Sequence, residues 1–246
     1  MSEIIKSEAI VLNKINYGDT SVIASLYTKE FGKLSGIIKG GRSPKSKIGS
    51  VVNQLNHLEI ILYKKDTREV QLVSNASIIS HYPVIKDDFE KLQYALAVLE
   101  LLKKLTPEHE TNLRLFSGTV RILSLMESSN EPALVLFGRY FLFFITEIGY
   151  ELQFQECVSC GKSNLTNENL AYNFDLGIFC SDCSQNKPYS YSVSMELFEY
   201  LICLKNNKKA ERFNKTIKEK AIVFFEDFTK HHVPDFKGLQ SIQFLK

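Results

Sequence analysis

Cys157-Val-Ser-Cys160 and Cys180-Ser-Asp-Cys183 place four thiols in two pairs with 19 residues between them. Two residues between cysteines let one tight turn aim both sulfurs at a single ion, and two such pairs at this separation match the spacing of a tetrahedral zinc site. Gly161, directly after the first pair, suits that turn because a residue without Cβ lets the backbone curl beneath the metal. Four thiolates would leave zinc no open coordination position, so the expected role is structural. The competing readings are a redox dithiol, which needs only one Cys-x-x-Cys pair, and four unligated buried cysteines. Cys203 lies beside Leu201 and Ile202 on an apolar helical stripe and reads as core.

The second stretch with chemical character is Lys33 to Lys47. Its fifteen positions hold Lys33, Lys39, Arg42, Lys45 and Lys47 and no acidic residue. Gly40 and Gly41 permit close backbone approach while the cations neutralise phosphates and release counterions, so the segment reads as a nucleic-acid-contacting strand and loop. Tyr17, Tyr27, Phe31 and Tyr63 lie in the same third of the chain and could stack on bases. For Tyr27 and Phe31 the core reading is preferred, because core aromatics outnumber stacking platforms.

Catalysis finds no support. Gly36 to Ser43 approaches a phosphate-loop pattern but has Arg42 where the motif needs lysine, and it sits among short strands rather than between a parallel strand and a long helix. His57, His81, His109, His231 and His232 form no metal-binding pair on one helix face, and no Gly-x-Ser-x-Gly nucleophile motif occurs.

The elements that must position these residues follow from periodicity. Five short β-branched-rich runs occupy the first eighty residues: Glu3 to Asn13, Thr20 to Thr28, Lys33 to Lys39, His57 to Tyr63 and Glu69 to Ser74, with Val51 to Leu55 leading into the fourth. Tyr17-Gly18-Asp19 and Glu30-Phe31-Gly32 are tight turns, and Lys64 to Arg68 is a hairpin loop. Five strands in this length suit a small closed barrel of the OB type, with an SH3-like barrel as competitor.

After His81-Tyr82-Pro83 the period becomes helical. Asp87 or Asp88 caps a helix with Phe89, Leu92, Leu96, Leu99 and Leu102 on one face, a second runs from Thr111 to Glu127, and a third opens at Pro132. Beyond the cysteines, Ser194 caps Met195 to Lys205, and Lys208 to Lys230 forms a last helix ending before Pro234. The expected fold class is α+β multidomain: a five-stranded OB-fold β-barrel over 1–80, an all-α domain in two parts over 81–150 and 191–246, and an inserted four-cysteine, zinc-ribbon-like module over 151–190.

The 246 residues, 44% apolar and 24% charged, exclude a disordered chain or a disulfide-stapled miniprotein. Residues 1 to 80 carry 11 basic and 7 acidic side chains, against a net −2 for the remainder, so a polyanion would meet the N-terminal third. Ala133 to Ile145 is too short for a membrane span and holds Arg139, which should reach the helix surface or a carboxylate. The start, Met1 to Lys6, lacks the pattern of a signal peptide, and cysteine pairs of this type fit a reducing compartment. A cytoplasmic protein is expected.

The ordered set of motifs resembles the RecO family of bacterial DNA repair and recombination mediators. The resemblance runs from Glu8-Ala-Ile-Val-Leu12 through Tyr17-Gly-Asp-Thr20, Leu26-Tyr-Thr-Lys-Glu-Phe-Gly-Lys33 and Lys39-Gly-Gly-Arg42-Ser-Pro-Lys-Ser46. It continues in Glu147-Ile-Gly-Tyr150, both cysteine pairs and the tail Leu239-Gln-Ser-Ile-Gln-Phe-Leu245. It implies an OB-fold followed by a helical domain with a zinc module, one zinc ion per chain on Cys157, Cys160, Cys180 and Cys183, and a role without catalysis.

That implied role is binding of single- and double-stranded DNA, annealing of complementary strands, and loading of RecA, together with RecR, onto strands coated by single-strand binding protein (SSB). The DNA-contacting candidates are Lys33, Lys39, Arg42, Lys45, Lys47 and Tyr17. The resemblance also implies recognition of the acidic SSB tail by the helical domain, for which Arg121 and Arg139 are the candidates. Asp19 stands where many relatives have glutamate, and Ser184 follows the second pair where a glycine would fit a knuckle. From the residues alone, a zinc-stabilised OB-fold RNA-binding factor of translation or transcription is the alternative.

Overall fold

The computed structural model describes residues 3–165, 170–184 and 191–245. Parts of the expected 151–190 module, namely 166–169 and 185–190, lie outside the described residues, as do both chain ends.

Strands β1 (Glu3–Tyr17), β2 (Ser21–Thr28) and β3 (Gly32–Ile38) form an antiparallel meander, followed by helix α1 (Lys47–Val51), β4 (His57–Lys64) and β5 (Val70–Ser80). They close in the order β1-β2-β3-β5-β4, with β3 and β5 parallel and all other pairs antiparallel. This is an OB-fold barrel. Closure depends on the length of β1, whose first half pairs with β4 and whose second half pairs with β2. The alternation read from sequence turns Ala9, Val11, Ala24, Leu26, Leu34, Ile38, Leu58, Ile60, Leu62 and Val73 inward to make the barrel core.

Three boundaries differ from the sequence expectation, the first being that β1 runs on to Tyr17 rather than ending at Asn13, its second half paired to β2. Val51 to Leu55 does not lead into β4: Ser46 accepts a hydrogen bond from Gly49 N and starts α1, whose Ile48 and Val51 pack on the barrel core. Strand β5 extends to Ser80 rather than Ser74, because two register shifts keep its exposed second half paired to β4, where no burial pattern marks it.

Helices α2 (Pro83–Asp87), α3 (Phe89–Leu105) and α4 (Leu113–Ser128) follow. Asp88 caps α3, while Asp87 ends α2. The buried face of α3 is Tyr94, Ala95, Ala97, Val98, Leu99, Leu101 and Leu102, whereas Phe89 is 76% exposed. The expected leucine stripe is therefore displaced, since small Ala95 and Ala97 admit close neighbours that a single-face pattern does not anticipate.

Contacts group the chain into two compact units, Met1–Ala133 with Leu239–Lys246, and Leu134–Gly238. Helices α2 to α4 thus join the barrel, although their period differs from it. The Tyr27 ring stacks on Phe116 of α4 at 6.3 Å, and Glu127 accepts from Val84 N and Ile85 N of α2. Glu100 of α3 accepts from Gln240 N, Ser241 N and Ser241 Oγ of the terminal 3-10 helix Gln240–Leu245.

The second unit contains α5 (Ala133–Glu147), the hairpin β6 (Leu170–Asn173) and β7 (Gly177–Phe179), the single turn α6 (Ser181–Ser184), β8 (Tyr191–Val193), α7 (Met195–Lys205) and α8 (Lys215–His232). Ser194 caps α7. Helix α8 begins later than Lys208 because Asn214 caps it, accepting from Ile217 N, and turns occupy the residues before that cap. The β7-β6-β8 sheet rests on α8 through Phe224, whose ring centroid lies 5.2 Å from Tyr172 and 5.3 Å from Tyr191. Among the described residues no helix is long and apolar enough to cross a membrane.

Candidate metal centre and nucleic-acid interface

The two cysteine pairs reach one point by different local structures. In the first, Gly161 N donates to Cys157 O (2.8 Å) and Cys157 N to Lys162 O (2.9 Å), so the chain folds under its own sulfurs. Gly161 has φ +73°, a left-handed conformation that side chains resist. In the second, Cys183 N and Ser184 N both donate to Cys180 O, at 3.1 and 3.0 Å. Cys180 and Cys183 therefore stand three residues apart on one helical turn, which explains why Ser184 can follow without a glycine.

The four sulfurs lie within 4.8 Å of one another, and Cys160 Sγ and Cys180 Sγ are 3.8 Å apart. Four thiolates at ~2.3 Å around a tetrahedral ion stand about 3.8 Å from each other, so the donor set fits a metal. Protonation chemistry agrees. Burial raises the Cys157 thiol, but backbone N–H groups of Cys180, Cys160 and Ser159 outweigh it and bring the group down to about 6. A hydrogen bond with Ser159 favours the Cys183 thiolate, yet the neighbouring sulfurs of Cys180 and Cys160 prevail and push it up to about 12. Four thiols this close do not all ionise without a cation among them. Cys203 is buried elsewhere, with its sulfur near the carbonyls of Lys208 and Lys209.

On the barrel, the segment after β3 folds back as successive turns: Gly41 N donates to Ile38 O, Ser43 N to Gly40 O, and Ser46 N to Ser43 O. Arg42 ties this loop to the β1–β2 turn, its backbone N donating to Thr20 O (2.8 Å) and its guanidinium Nη1 to Gly18 O (3.1 Å). The loop also lies against α1, where a Cβ on Gly49 would stand 1.8 Å from Gly41 O. Lys39, Arg42, Lys45 and Lys47 are all exposed, and Tyr17, at the end of β1 beside the same turn, is 56% exposed. The structure thus brings Tyr17 and Arg42 to one edge of the barrel, with the other three cations on the same loop or the start of α1.

Lys33 is different. It is the second residue of β3, six residues or about 20 Å from Lys39, which follows the strand. It is buried, its Nζ donating to Lys103 O at 2.8 Å and lying 3.6 Å from Glu108. Tyr27 is fully buried and Phe31 packs on the barrel core, as the core reading has it.

Sequence reasoning missed the outward face of β2 and β3. Ser25 pairs with Ser35 and Ile23 with Ile37, all half-buried, giving an uncharged track that begins at the basic loop. Strand β5 starts beside Ser35, in the middle of β3, and runs parallel to it, so the β4–β5 hairpin with exposed Lys65 and Arg68 lies toward the start of β3, away from the basic loop. The alternation of β2 and β3 was the available signal.

Arg121 is exposed on α4 in the first compact unit. Arg139 belongs to the second unit, half-buried on α5, with its Nη2 donating to Lys208 O at 2.9 Å. Phe198, Ile202 and Cys203 line a cavity of about 240 Å³ together with Lys208, Lys209 and the Arg212–Glu199 ion pair (2.9 Å), an apolar site edged by three cations and one carboxylate, with no sequence motif.

Residues 1–82 match the family described as Recombination protein O N terminal, and residues 86–239 match Recombination protein O C terminal. The chain belongs to the Recombination protein O family. Relatives include proteins named DNA repair protein RecO. That of Chloroherpeton thalassium is 39% identical over 158 residues, covering 64% of this chain and 61% of the relative. That of Chlorobium limicola is 36% identical over 159 residues, with 65% and 61% covered. A third, from Chlorobium phaeobacteroides strain DSM 266, is 38% identical over 155 residues, with 63% and 59% covered. The chain spans about three fifths of the length of these Recombination protein O relatives.

Proposed function

We propose that this chain is a recombination mediator in DNA repair, a cytoplasmic, nucleoid-associated binding protein rather than an enzyme. In this reading it binds single- and double-stranded DNA on the OB barrel and anneals complementary strands. With RecR it helps load RecA onto strands coated by SSB. The observation that carries the proposal is the loop of Lys39, Arg42, Lys45 and Lys47, fastened by Arg42 to the β1–β2 turn beside exposed Tyr17. OB-folds bind oligonucleotides along strands 2 and 3 and the adjoining loops. The uncharged β2–β3 track supports passage of a strand between the basic loop and the Lys65–Arg68 hairpin.

The four cysteines would hold one structural zinc ion, which when bound cross-links the 157–160 turn to α6 and supplies no reactive ligand position. The apolar cavity edged by Lys208 and Lys209, with Arg212 paired to Glu199 on its rim, is the proposed seat for the acidic, apolar-ended SSB tail, with Arg139 next to it through Lys208. Arg121 lies on α4 in the other compact unit and does not line that cavity.

Binding titrations at several salt concentrations test the DNA site. Replacing Lys39 and Arg42 with alanine should reduce the slope of log affinity against log salt by about 0.7 to 0.9 per lost phosphate contact, and weaken annealing in step. An unchanged slope overturns the placement. Equal or tighter binding of RNA by the same preparation, without DNA annealing, would favour a role in translation or transcription.

A further inference from the structure

The geometry points to a second divalent-metal site, formed by Asp175, His231 and His232, that takes a transition cation of the zinc type and is separate from the four cysteines. It does not depend on the functional reading above. The turn between β6 and β7 carries Asp175, and α8 ends in His231 and His232, residues far apart in sequence. Their donor atoms all lie within 4.8 Å of one another. His231 Nε2 is 2.7 Å from Asp175 Oδ1, and His232 Nε2 is 2.9 Å from the carbonyl oxygen of Phe174. Two imidazoles, a carboxylate and a neighbouring carbonyl are a donor set for borderline divalent cations rather than for calcium or magnesium.

The donors are held in place by their surroundings. His232 stacks on Tyr150 at 4.8 Å between ring centroids and meets the Phe228 ring at 4.4 Å, while His231 lies 5.6 Å from Phe174. Asn173 Oδ1 accepts from Asp175 N (2.9 Å) and Leu176 N (3.0 Å), fixing the turn that presents the carboxylate. The electrostatics favour a cation, since the negative end of the α8 dipole faces this point. Lys230, the nearest positive neighbour in sequence, is paired with Asp227 at 3.0 Å. Binding would hold each imidazole proton on Nδ1, give the Nε2 lone pairs to the ion, and leave water on the remaining positions. An ion pair of His231 with Asp175 uses one imidazole; the second one, aimed at the adjacent carbonyl, makes the set a chelate. Occupancy would clasp the β6–β7 hairpin, which leads into Cys180, to the end of α8.

The test uses the untagged full chain, first saturated with one equivalent of zinc and then titrated with Co²⁺ by calorimetry and visible absorption. The expected result is a second equivalent with weak d–d bands and no thiolate charge-transfer absorption, and a thermal midpoint that rises with cobalt. The Asp175→Asn/His231→Gln variant should bind that equivalent about tenfold more weakly or worse while keeping its zinc. Retained zinc and an unchanged far-ultraviolet spectrum identify it as folded, and Asp175→Ser alone is the milder control. Binding of only one equivalent by the parent chain, or a second equivalent held equally well by the variants, overturns the site.

Discussion

The thiol cluster and the basic loop are both short segments of unusual composition, yet they depend on the fold to different degrees. Each cysteine pair is folded by hydrogen bonds within a few residues of itself, and one long-range bond, Val158 N to Ile178 O at 3.0 Å, joins the first pair to β7, so spacing already shows which sulfurs can converge. The basic loop is organised from outside. Arg42 is tied to the β1–β2 turn, and Gly41 abuts Gly49 of α1. In the proposed function its chemistry is a sum of weak phosphate contacts, and the cations available for them are those the barrel leaves exposed. Lys33 and Lys39 look alike in sequence, and the fold makes one a buried tether and the other an exposed surface cation.

The sharpest way to break this contrast is at the metal. Cys180→Ser should lose the bound zinc and unfold the module around β6 and β7, because metal binding contributes on the order of 10 kcal/mol to small zinc folds. Elemental analysis and limited proteolysis read both, and full metal content in the variant would end the assignment. On the barrel, Gly49→Val should drive α1 and the basic loop apart and lower stability by about 1–3 kcal/mol, seen in the denaturant midpoint together with weakened DNA binding.

Lys33→Met should separate the two lysines. Loss of the buried hydrogen bond to Lys103 O costs about 1–3 kcal/mol, while the salt slope of DNA binding stays at the parent value; a reduced slope would place Lys33 on the DNA path after all.

The smallest effect concerns pH. Burial holds the His57 pKa below its ordinary value despite the Glu8 carboxylate 3.0 Å away. The hydrogen bond from Lys29 leads the groups that hold Glu8 below the usual carboxylate value. As the pH falls below about 6.5, the unfolded chain takes up the histidine proton first, so stability declines toward the lower folded-state pKa. Glu8 adds a further loss below the ordinary carboxylate range. Thermal midpoints of His57→Gln between neutral pH and pH ~5 should fall less than those of the parent; parallel curves would remove His57 from the account.

Much of the fold was legible because burial imposes a period. Four of the five strands were recognisable to within a few residues, and Ser194 and Asp88 announced their helices as caps. The end of β5 was not, since Asn75 to Ile79 pair by backbone hydrogen bonds without a buried face. Helix α1 was hidden by its length, one turn stabilised by packing on the barrel rather than by propensity. Phe89 misled the reading of α3, because one exposed phenylalanine in a helix packed on more than one side breaks the stripe.

The sequence by itself determined which four thiols could share a metal ion, since ligand type and spacing suffice for it, and it determined that the N-terminal third is the cationic one. Tertiary structure decided the rest. It withdrew Lys33 from the surface, set Tyr17 beside Arg42, opened the cavity below Lys208 and Arg212, and brought Asp175 to two histidines more than fifty residues away. Contacts between residues distant in the chain leave no local pattern, because each partner's own segment is satisfied by its neighbours, and only closure of the fold brings the two together.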